Sequence, residues 1–399
     1  MALDHAKETE EIQELIQRAR ALRQQFCKSA AQVDRQGAYP YEHFQLIWEA
    51  GLYRLTIPQV YGGLNNRRVS ASIGALMEVI THLSAGESST GMAFMIYPST
   101  LRRFLDERNG LAETTRQQIA REVLQENARI IAPHSDIPAT GGVTARKVNG
   151  GIVITGTKPF NSGSDGARYA GVLHALEDTP GMHFGLVRLD DPGVKLHHDW
   201  DNMGMRATAS QTITYQDIFV PDGWHYHLSQ FPPSFFPFIF LAHAAVMLGI
   251  GQGSFDALRE YLHDVNRSIT PGWQTGATDP LVRLRVGDFS THLAAAQALL
   301  RQTSQRVEQM DEDPDPQSLL ADVLRTKAAC VDAALKTTSE LFELTGTRST
   351  ANRYRLDRFW RDARTFSLHD STDAKRIMIG SYEITDELQM FGVPQIKRK

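Results

Sequence analysis

The sequence contains few cysteines, and its acidic residues slightly outnumber its basic ones. Cys27 and Cys330 are the only cysteines among 399 residues. Because two cysteines so far apart do not suggest a disulfide framework, a reducing compartment is indicated, and we expect a cytoplasmic protein. The formal net charge is −4, which favours neither nucleic acid nor an anionic membrane surface as a partner.

Long hydrophobic runs are also lacking. The most apolar stretch, residues 235–250, is short for a membrane span, has Pro237 near its start and contains His243. Apolar residues recur at helical spacing from Leu241 to Leu262, and this pattern predicts a buried core helix. We therefore expect no membrane partner.

The signatures of several large enzyme classes are missing. The sequence has no Walker loop, no Gly-x-Ser-x-Gly elbow and no Gly-x-Gly-x-x-Gly run after a predicted strand. His197 and His198 lie close to Asp199, but adjacent histidines rarely bind one ion together. A polar loop is the preferred interpretation, and no metal site is predicted.

Periodicity divides the chain into three parts. Residues 1–127 show helical spacing, whereas residues 128–230 are rich in Val, Ile, Thr and Gly and alternate like short strands. Residues 231–399 return to helices after Pro232 and Pro233. The expected fold class is mainly α with an inserted β-domain: an N-terminal helical domain, a central antiparallel sheet or barrel, and a C-terminal four-helix bundle.

The individual segments follow from the same patterns. Helices are predicted over residues 10–33, 41–50, 70–84, 88–104, 113–127, 241–265, 279–310 and 316–344. Strands are predicted over residues 151–156, 170–176, 184–188 and 212–215. Residues 231–234 are predicted as a linker and residues 311–315 as an acidic loop. A cleft where such domains meet is a common place for a cofactor.

Four segments resemble the acyl-CoA dehydrogenase family, in the family's order. Residues 51–63 are similar to its Gly-Leu … Pro … Tyr-Gly-Gly signature, and residues 156–163 to its Gly-x-Lys-x-Trp-Ile-Thr-Asn strand. Residues 200–221 resemble its Gly-Met-Arg … Ser … Val-Pro segment, and residues 361–363 its Arg-Asp-Ala run. The resemblance implies the fold described above, with a flavin bound between the β-domain and the C-terminal bundle.

The resemblance also implies residues that bind the flavin. Ser162 takes the place of a Thr whose hydroxyl contacts flavin N5, and Phe160 that of an aromatic packed beside the isoalloxazine ring. The alternatives are a serine in a strand-end turn and an ordinary core phenylalanine. Gly346 and Arg348 resemble the turn at the adenosine end of FAD, but the preferred interpretation of Gly346 is a helix C-cap. The family's doubled glycine is missing here, so both FMN and FAD remain open.

The catalytic segment separates two chemistries. In acyl-CoA dehydrogenases a Glu removes the substrate proton, and Asp370 stands at that position, one methylene shorter. Residues 361–370, Arg-Asp-Ala-Arg-Thr-Phe-Ser-Leu-His-Asp, resemble more closely the two-component flavin monooxygenases of the dibenzothiophene monooxygenase type. In these enzymes a separate reductase supplies reduced flavin, and a C4a-hydroperoxyflavin transfers oxygen to a small-molecule substrate.

By that resemblance His369 would handle a proton beside the flavin, with Ser162 near C4a and N5 and Asp370 orienting the imidazole. The alternatives are an acyl-CoA dehydrogenase with Asp370 as base, a non-catalytic flavin-binding scaffold, and a surface turn with a helix N-cap at Ser371 or Thr372. On the helix that corresponds to residues 88–104, those monooxygenases tend to have a histidine, whereas this chain has Tyr97 near that place. A homodimer or homotetramer is expected from the family.

Overall fold

The computed structural model describes residues 2–65, 73–135, 142–228, 234–265, 268, 270–310 and 315–389. Within those residues the chain forms ten α-helices and eight β-strands. The helices are α1 (Ala2–Gln36), α2 (Tyr41–Glu49), α3 (Ile73–Gly86), α4 (Ser88–Phe104), α5 (Glu113–Glu126), α6 (Phe235–Val265), α7 (Pro280–Glu308), α8 (Pro316–Thr345), α9 (Asp357–Ser367) and α10 (Thr372–Thr385). The strands are β1 (Ile130–Ile131), β2 (Val143–Val148), β3 (Gly151–Lys158), β4 (Tyr169–Leu176), β5 (Thr179–Arg188), β6 (Val194–Leu196), β7 (Ile213–Pro221) and β8 (His225–Leu228).

Helix α4 is central to the N-terminal part. Glu87 caps its N-terminus by accepting hydrogen bonds from the backbone N–H groups of Ser89 and Thr90, at 3.1 and 2.7 Å. Its side chains are almost all buried, so it packs against neighbours on every side. The predicted start of α3 at Ser70 lies outside the described residues.

The strands form one sheet in the order β6-β7-β3-β2-β4-β5-β8, with β1 beside β4. Most pairs are antiparallel, as predicted, but β4 runs parallel to both β1 and β2, so the sheet is mixed. The cause is the connection after β3. It leaves β3 beside the first residues of β2, passes them and enters β4 on the far side of β2, so that β4 runs parallel to β2. This crossing loop, residues 159–168, carries Ser162.

In the described residues, the C-terminal part is the predicted helical bundle, with the long helices α6, α7 and α8 and the shorter α9 and α10. Helix α6 packs against α7 and α8 and also against α3, while the short helices α9 and α10 pack on α8. Among the described residues, α6 alone is long and apolar enough to cross a membrane, but 72% of its most apolar window is buried inside the protein. It is the core helix that the sequence predicted, although it begins at Phe235 rather than Leu241.

The changes in secondary structure fit the three predicted parts. Helix α5 ends at Glu126 and β1 begins at Ile130; β8 ends at Leu228 and α6 begins at Phe235. The predicted boundary at residue 230, most of the predicted linker and most of the acidic loop lie outside the described residues. The division into domains at 127 and 230 therefore stays a prediction.

Candidate active site

A cavity of about 700 Å³ lies where the sheet meets helices α4 and α9. Its walls are mostly apolar, with Met92 and Ile96 from α4 and Phe366 from the end of α9. The polar residues that line it are His134, Ser135, Ser162, Asp201, Asn202, Ser210, Thr365 and His369. A largely apolar cavity with a few polar groups is the usual form of a small-molecule site.

The turn that carries Ser162 is held by its neighbours. Asn161 donates from Nδ2 to the backbone oxygens of Lys158 and Gln211, at 2.7 and 2.9 Å. Gly163 has φ +84°, and a Cβ there would lie 2.7 Å from the Tyr97 hydroxyl oxygen. That hydroxyl donates to the Gly163 carbonyl at 2.8 Å. Tyr97, which stands where related enzymes have a histidine, therefore supports the turn from behind.

Ser162 belongs to a chain of hydroxyl groups whose direction can be worked out. The Thr208 hydroxyl donates to the Met205 carbonyl at 2.9 Å, so it can only accept from Ser210, at 2.7 Å. The single proton of Ser210 is then committed to Thr208, and Ser210 accepts from Ser162 at 2.7 Å. Because its single proton goes to Ser210, the Ser162 hydroxyl can only accept a hydrogen bond from a group in the cavity.

Two aromatic rings line the cavity beside Ser162. Phe160 has φ +56° and is 59% exposed, and its ring centroid lies 6.4 Å from that of Trp200 in an edge-on arrangement. Trp200 is held in place because its indole N–H donates to the Met205 carbonyl at 2.8 Å. A large exposed aromatic side chain facing a cavity, rather than the core, suits contact with a flat ligand.

The Gly-Met-Arg segment docks directly on helix α9. The Met205 N–H donates to the Asp362 carboxylate at 2.6 Å, and a Cβ on Gly204 would lie 2.1 Å from the Arg361 carbonyl oxygen. Burial, together with the charge of Glu87, raises the pKa of Asp362 to about 7. Two of the sequence segments that resemble the acyl-CoA dehydrogenases thus contact each other, and this contact positions α9.

His369 follows α9, and its imidazole is accessible from the cavity. Its ring centroid lies 4.4 Å from that of His243, a buried residue of α6, at an interplanar angle of 61°. Surrounding protein atoms lower the pKa of His369, and the charges of Lys327 and Lys375 lower it further, while Asp370 opposes the shift. The imidazole is therefore neutral at pH 7.

Asp370 is not among the described residues that line the cavity. Its carboxylate pairs with Nζ of Lys327 and, at 2.9 Å, with Nζ of Lys375. Burial alone would raise the pKa of Asp370, but the two ammonium groups outweigh it and lower the pKa. The structure therefore separates two neighbouring residues: His369 faces the cavity, and Asp370 faces α8 and α10. Ser371 caps α10 by accepting from the Ala374 N–H at 3.1 Å, as its alternative role predicts.

Gly346 and Arg348 lie elsewhere and are likewise not among the described lining residues. Gly346 ends α8 with φ +66°, and its N–H donates to the Phe342 carbonyl at 2.9 Å. This is the helix C-cap that the sequence favoured. Arg348 is exposed in the turn that follows. Their contact with a flavin stays a prediction.

Sequence reasoning missed several polar residues of this region. His134 follows β1 and accepts from the Arg103 guanidinium at 2.7 Å. His243 was noted only as an obstacle to a membrane span, and Lys327 carried no local signal because α8 looks like an ordinary amphipathic helix. Ser210 could have been identified from the serine of the Gly-Met-Arg segment. No group of three or more metal-ligating side chains occurs in the described part of the chain.

Two family models match parts of this chain. A model described as the N-terminal domain of acyl-CoA dehydrogenase matches residues 9–107, and one described as its C-terminal domain matches residues 241–374. Together they match more than half of the chain.

Individual relatives match over almost the full length. Dibenzothiophene monooxygenase from Rhodococcus qingshengii is 28% identical, with 94% of each chain covered. The probable FMNH2-dependent monooxygenase SfnC from Pseudomonas putida is 26% identical, covering 92% of this chain and 94% of its own. The crystal structure of FMN-bound TdsC from Paenibacillus sp. A11-2 has a TM-score of 0.85 and 25% identity, and the match covers 94% of this chain and 98% of that one.

Proposed function

The chain belongs to the acyl-CoA dehydrogenase superfamily, on the branch of the flavin-dependent monooxygenases, and we propose that it transfers one oxygen atom of O2 to a small-molecule substrate with reduced FMN. The observation that supports this best is the separation of His369 from Asp370. A neutral imidazole lines the cavity together with Ser162, while the neighbouring carboxylate is paired with two lysines outside it.

The cavity suits the ring system of a flavin. The apolar walls and the exposed Phe160 and Trp200 rings can pack against a flat tricyclic molecule, and a volume of about 700 Å³ leaves room for a substrate beside it. When bound in its reduced form, a flavin supplies the two electrons with which O2 is split between substrate and water. The relatives named for FMN or FMNH2, together with the missing doubled glycine, favour FMN over FAD.

We assign to Ser162 the binding of reduced flavin. The hydroxyl chain through Ser210 and Thr208 leaves Ser162 as a hydrogen-bond acceptor toward the cavity. Flavin N5 carries hydrogen only in the reduced form, so an accepting hydroxyl matches reduced rather than oxidised flavin. The side chain thereby selects the redox state that the reaction needs.

His369 is proposed as the residue that donates and accepts a proton at the reacting oxygen. A neutral imidazole has one N–H and one unprotonated nitrogen, so it can do both at neutral pH. Helix α6 supports it from behind through His243, and the apolar walls formed by Met92, Ile96 and Phe366 exclude water from the reacting atoms.

The main alternative, acyl-CoA desaturation with Asp370 as base, fits this geometry poorly. A base must lie within hydrogen-bond reach of the proton that it removes. The Asp370 carboxylate is occupied by Lys327 and Lys375, and its pKa is lowered, so it is a weak base outside the cavity.

The partners follow from the same chemistry. Reduced FMN has to be supplied, and we propose a separate flavin reductase as its source. We also propose a homo-oligomer, dimer or tetramer, because apolar side chains on α7 and α10, among them Leu284 and Ile384, are 67% and 84% exposed. A cytoplasmic location is proposed because Cys27 and Cys330 are both free thiols.

The experiment uses anaerobic protein and photoreduced FMN. Reduced FMN should bind more tightly than oxidised FMN, and mixing with labelled O2 and a sulfur or nitrogen heteroaromatic, such as dibenzothiophene or indole, should give product that contains the label. His369→Ala should keep reduced-FMN affinity within about threefold but lose at least about a hundredfold in labelled product, consistent with the loss of a general acid–base group. Mass spectrometry measures the product, and peroxide release measures uncoupled oxygen consumption.

His292 provides a matched control, because it is exposed on α7 and pairs with Asp288. His292→Ala should behave as the wild type. Unchanged product formation by His369→Ala would refute the role of His369. Reduction of bound oxidised flavin by an acyl-CoA without oxygen would refute the monooxygenase assignment itself.

A further inference from the structure

Two buried tyrosines lie behind the turn that carries Ser162. Tyr39 belongs to the connection between α1 and α2, Tyr97 belongs to α4, and the two are 5% and 0% exposed. Their hydroxyl oxygens lie 2.6 Å apart. Burial raises the pKa of both hydroxyls, so both stay protonated. Each therefore has one proton to donate.

The Gly163 carbonyl fixes the direction in which these protons are donated. A carbonyl oxygen can only accept, so the Tyr97 hydroxyl donates its proton to Gly163, at 2.8 Å. Tyr97 has no second proton, and its contact with Tyr39 is a hydrogen bond only when Tyr39 is the donor. The three groups thus form a tyrosine relay, which runs from Tyr39 through Tyr97 to the Gly163 carbonyl.

Both tyrosines touch the backbone of the turn directly. A Cβ on Gly163 would lie 2.7 Å from the Tyr97 hydroxyl oxygen, and a Cβ on Gly166 would lie 2.3 Å from the Tyr39 hydroxyl oxygen. Because Gly166 has no positive φ, the close approach of Tyr39 is what excludes a larger residue there. The relay and the turn therefore fit each other at both ends of residues 163–166.

Two further side chains donate to the same turn, but in a more accessible setting. Tyr41 donates to the Asp165 carbonyl at 3.0 Å, and Arg129 donates from Nε to the Gly166 carbonyl at 2.6 Å. Tyr41 is 58% exposed, so water can replace its hydrogen bond. The bond to the Gly163 carbonyl is buried, and its loss would leave that carbonyl without a partner.

Gly163 connects the relay to the hydroxyl chain of Ser162. Its N–H donates to the Thr208 carbonyl at 2.8 Å, while its own carbonyl accepts from Tyr97. Thr208 also ends the hydroxyl chain that runs from Ser162 through Ser210. A shift of Gly163 would therefore alter the 2.7 Å contact between Ser162 and Ser210, which fixes the Ser162 proton.

We propose that Tyr39 and Tyr97 are positioning residues for the flavin-binding turn: the tyrosine relay holds Gly163 so that Ser162 presents an accepting oxygen to reduced flavin. Neither tyrosine is among the described residues that line the cavity, so both act through Gly163 rather than on the ligand. The consequence for flavin rests on the proposed function, whereas the hold on the turn does not depend on flavin.

The test measures the affinities of reduced and oxidised FMN in anaerobic titrations. Tyr97→Phe should lower the ratio of reduced to oxidised affinity about three- to tenfold, consistent with the loss of one buried hydrogen bond. Tyr39→Phe should lower it only about twofold, because Tyr97 keeps its bond to Gly163 and loses the donor that orients it. Tyr53→Phe is the matched control and should leave the ratio unchanged. The Tyr53 ring lies 6.4 Å from that of Tyr97, but its hydroxyl makes no hydrogen bond to the turn.

A double variant distinguishes a relay from two independent supports. If Tyr39 acts only through Tyr97, adding Tyr39→Phe to Tyr97→Phe should change the affinity ratio no further. Additive losses would overturn the relay. Equal losses of affinity for both redox states, or an unchanged ratio in Tyr97→Phe, would overturn the positioning role, because a purely structural contact does not discriminate between the two forms of the flavin.

Hydrogen exchange of the flavin-free protein tests the hold on the turn by itself. Peptides that cover residues 159–168 should exchange faster in Tyr97→Phe than in the wild type, and Tyr53→Phe should exchange as the wild type does. Unchanged exchange in Tyr97→Phe would overturn the proposal even if flavin binds. Faster exchange in that variant, together with a wild type that binds neither form of FMN, would support the hold on the turn and refute the proposed function instead.

Discussion

Replacement of Asp370 by asparagine should destabilise the protein, because the Asp370 carboxylate neutralises two lysines. Lys327 is 5% exposed at its side chain, Lys375 13% and Asp370 25%. Removing one partner of a buried ion pair typically costs about 3–5 kcal/mol, because the remaining charge is left without compensation. Since Asp370 is partly accessible to solvent, which screens the interaction, we expect a loss of about 2–3 kcal/mol at pH 7.

The loss should depend on pH in a defined direction. Burial lowers the pKa of Lys327 to about 8, although Asp370 opposes the shift, so the pKa falls further when the carboxylate is removed. The folded pKa then lies below the unfolded value, and the unfolded chain binds more protons in the interval between them. Stability therefore rises with pH through this interval. The deficit of the variant should shrink between pH 7 and pH 9.5, as Lys327 becomes neutral in both proteins.

Urea unfolding at the two pH values measures these differences, and adding Lys327→Met to Asp370→Asn should recover most of the stability. A variant as stable as the wild type at pH 7, or an equal deficit at both pH values, would refute the argument. If Asp370 were instead a catalytic base, the variant would keep its stability and lose turnover. The stability of this variant therefore also distinguishes the monooxygenase from an acyl-CoA dehydrogenase with Asp370 as base.

Three further predictions follow from the geometry of the cavity. Ser210→Ala should weaken reduced-FMN binding about three- to tenfold more than oxidised-FMN binding, because Ser162 loses the acceptor that fixes its proton; equal losses in anaerobic titrations would contradict this. Asp362→Asn should make the free energy of unfolding depend less on pH. The pKa of Asp362 is raised to about 7, so the folded wild type binds an extra proton and loses stability as pH rises from about 4 to 7. An unchanged slope in thermal unfolding would argue against it. Gly163→Ala should destabilise the protein by at least about 1 kcal/mol, because Gly163 has φ +84° and an added Cβ would clash with the Tyr97 hydroxyl. Unchanged stability in chemical unfolding would contradict this close approach of the Tyr97 ring to the turn.

The helices were predicted well where local signals agree. Helix α4 has the predicted ends, residues 88 and 104, because Glu87 caps its start and its apolar content is continuous. Helix α9 was not predicted and α10 was indicated only by its N-cap, since their charged residues obscure the apolar period and their positions depend on contacts with α8. The parallel pairing of β4 with β2 was also missed, because strand order is decided by the path of a loop and leaves no local pattern.

The candidate site shows the same limit. Resemblance selected Ser162, Phe160 and His369, and the structure brings all three to one cavity. The resemblance could not show that Asp370, the next residue after His369, points toward Lys327, because side-chain direction at the end of a helix depends on the surrounding helices. Arg103 and His243 gave no signal, since isolated polar residues in apolar segments become meaningful only when their burial and partners are known.

The docking of the Gly-Met-Arg segment on α9 has a consequence for how the cavity behaves. Ser210 lines the cavity from the Gly-Met-Arg segment and Phe366 lines it from α9, and the hydrogen bond from Met205 to Asp362 joins these two elements directly. The gap between the serine and imidazole sides is thus set by the polypeptide before any ligand arrives. Ring binding would need little reorganisation, and the protein can discriminate against molecules of the wrong thickness by rigidity alone.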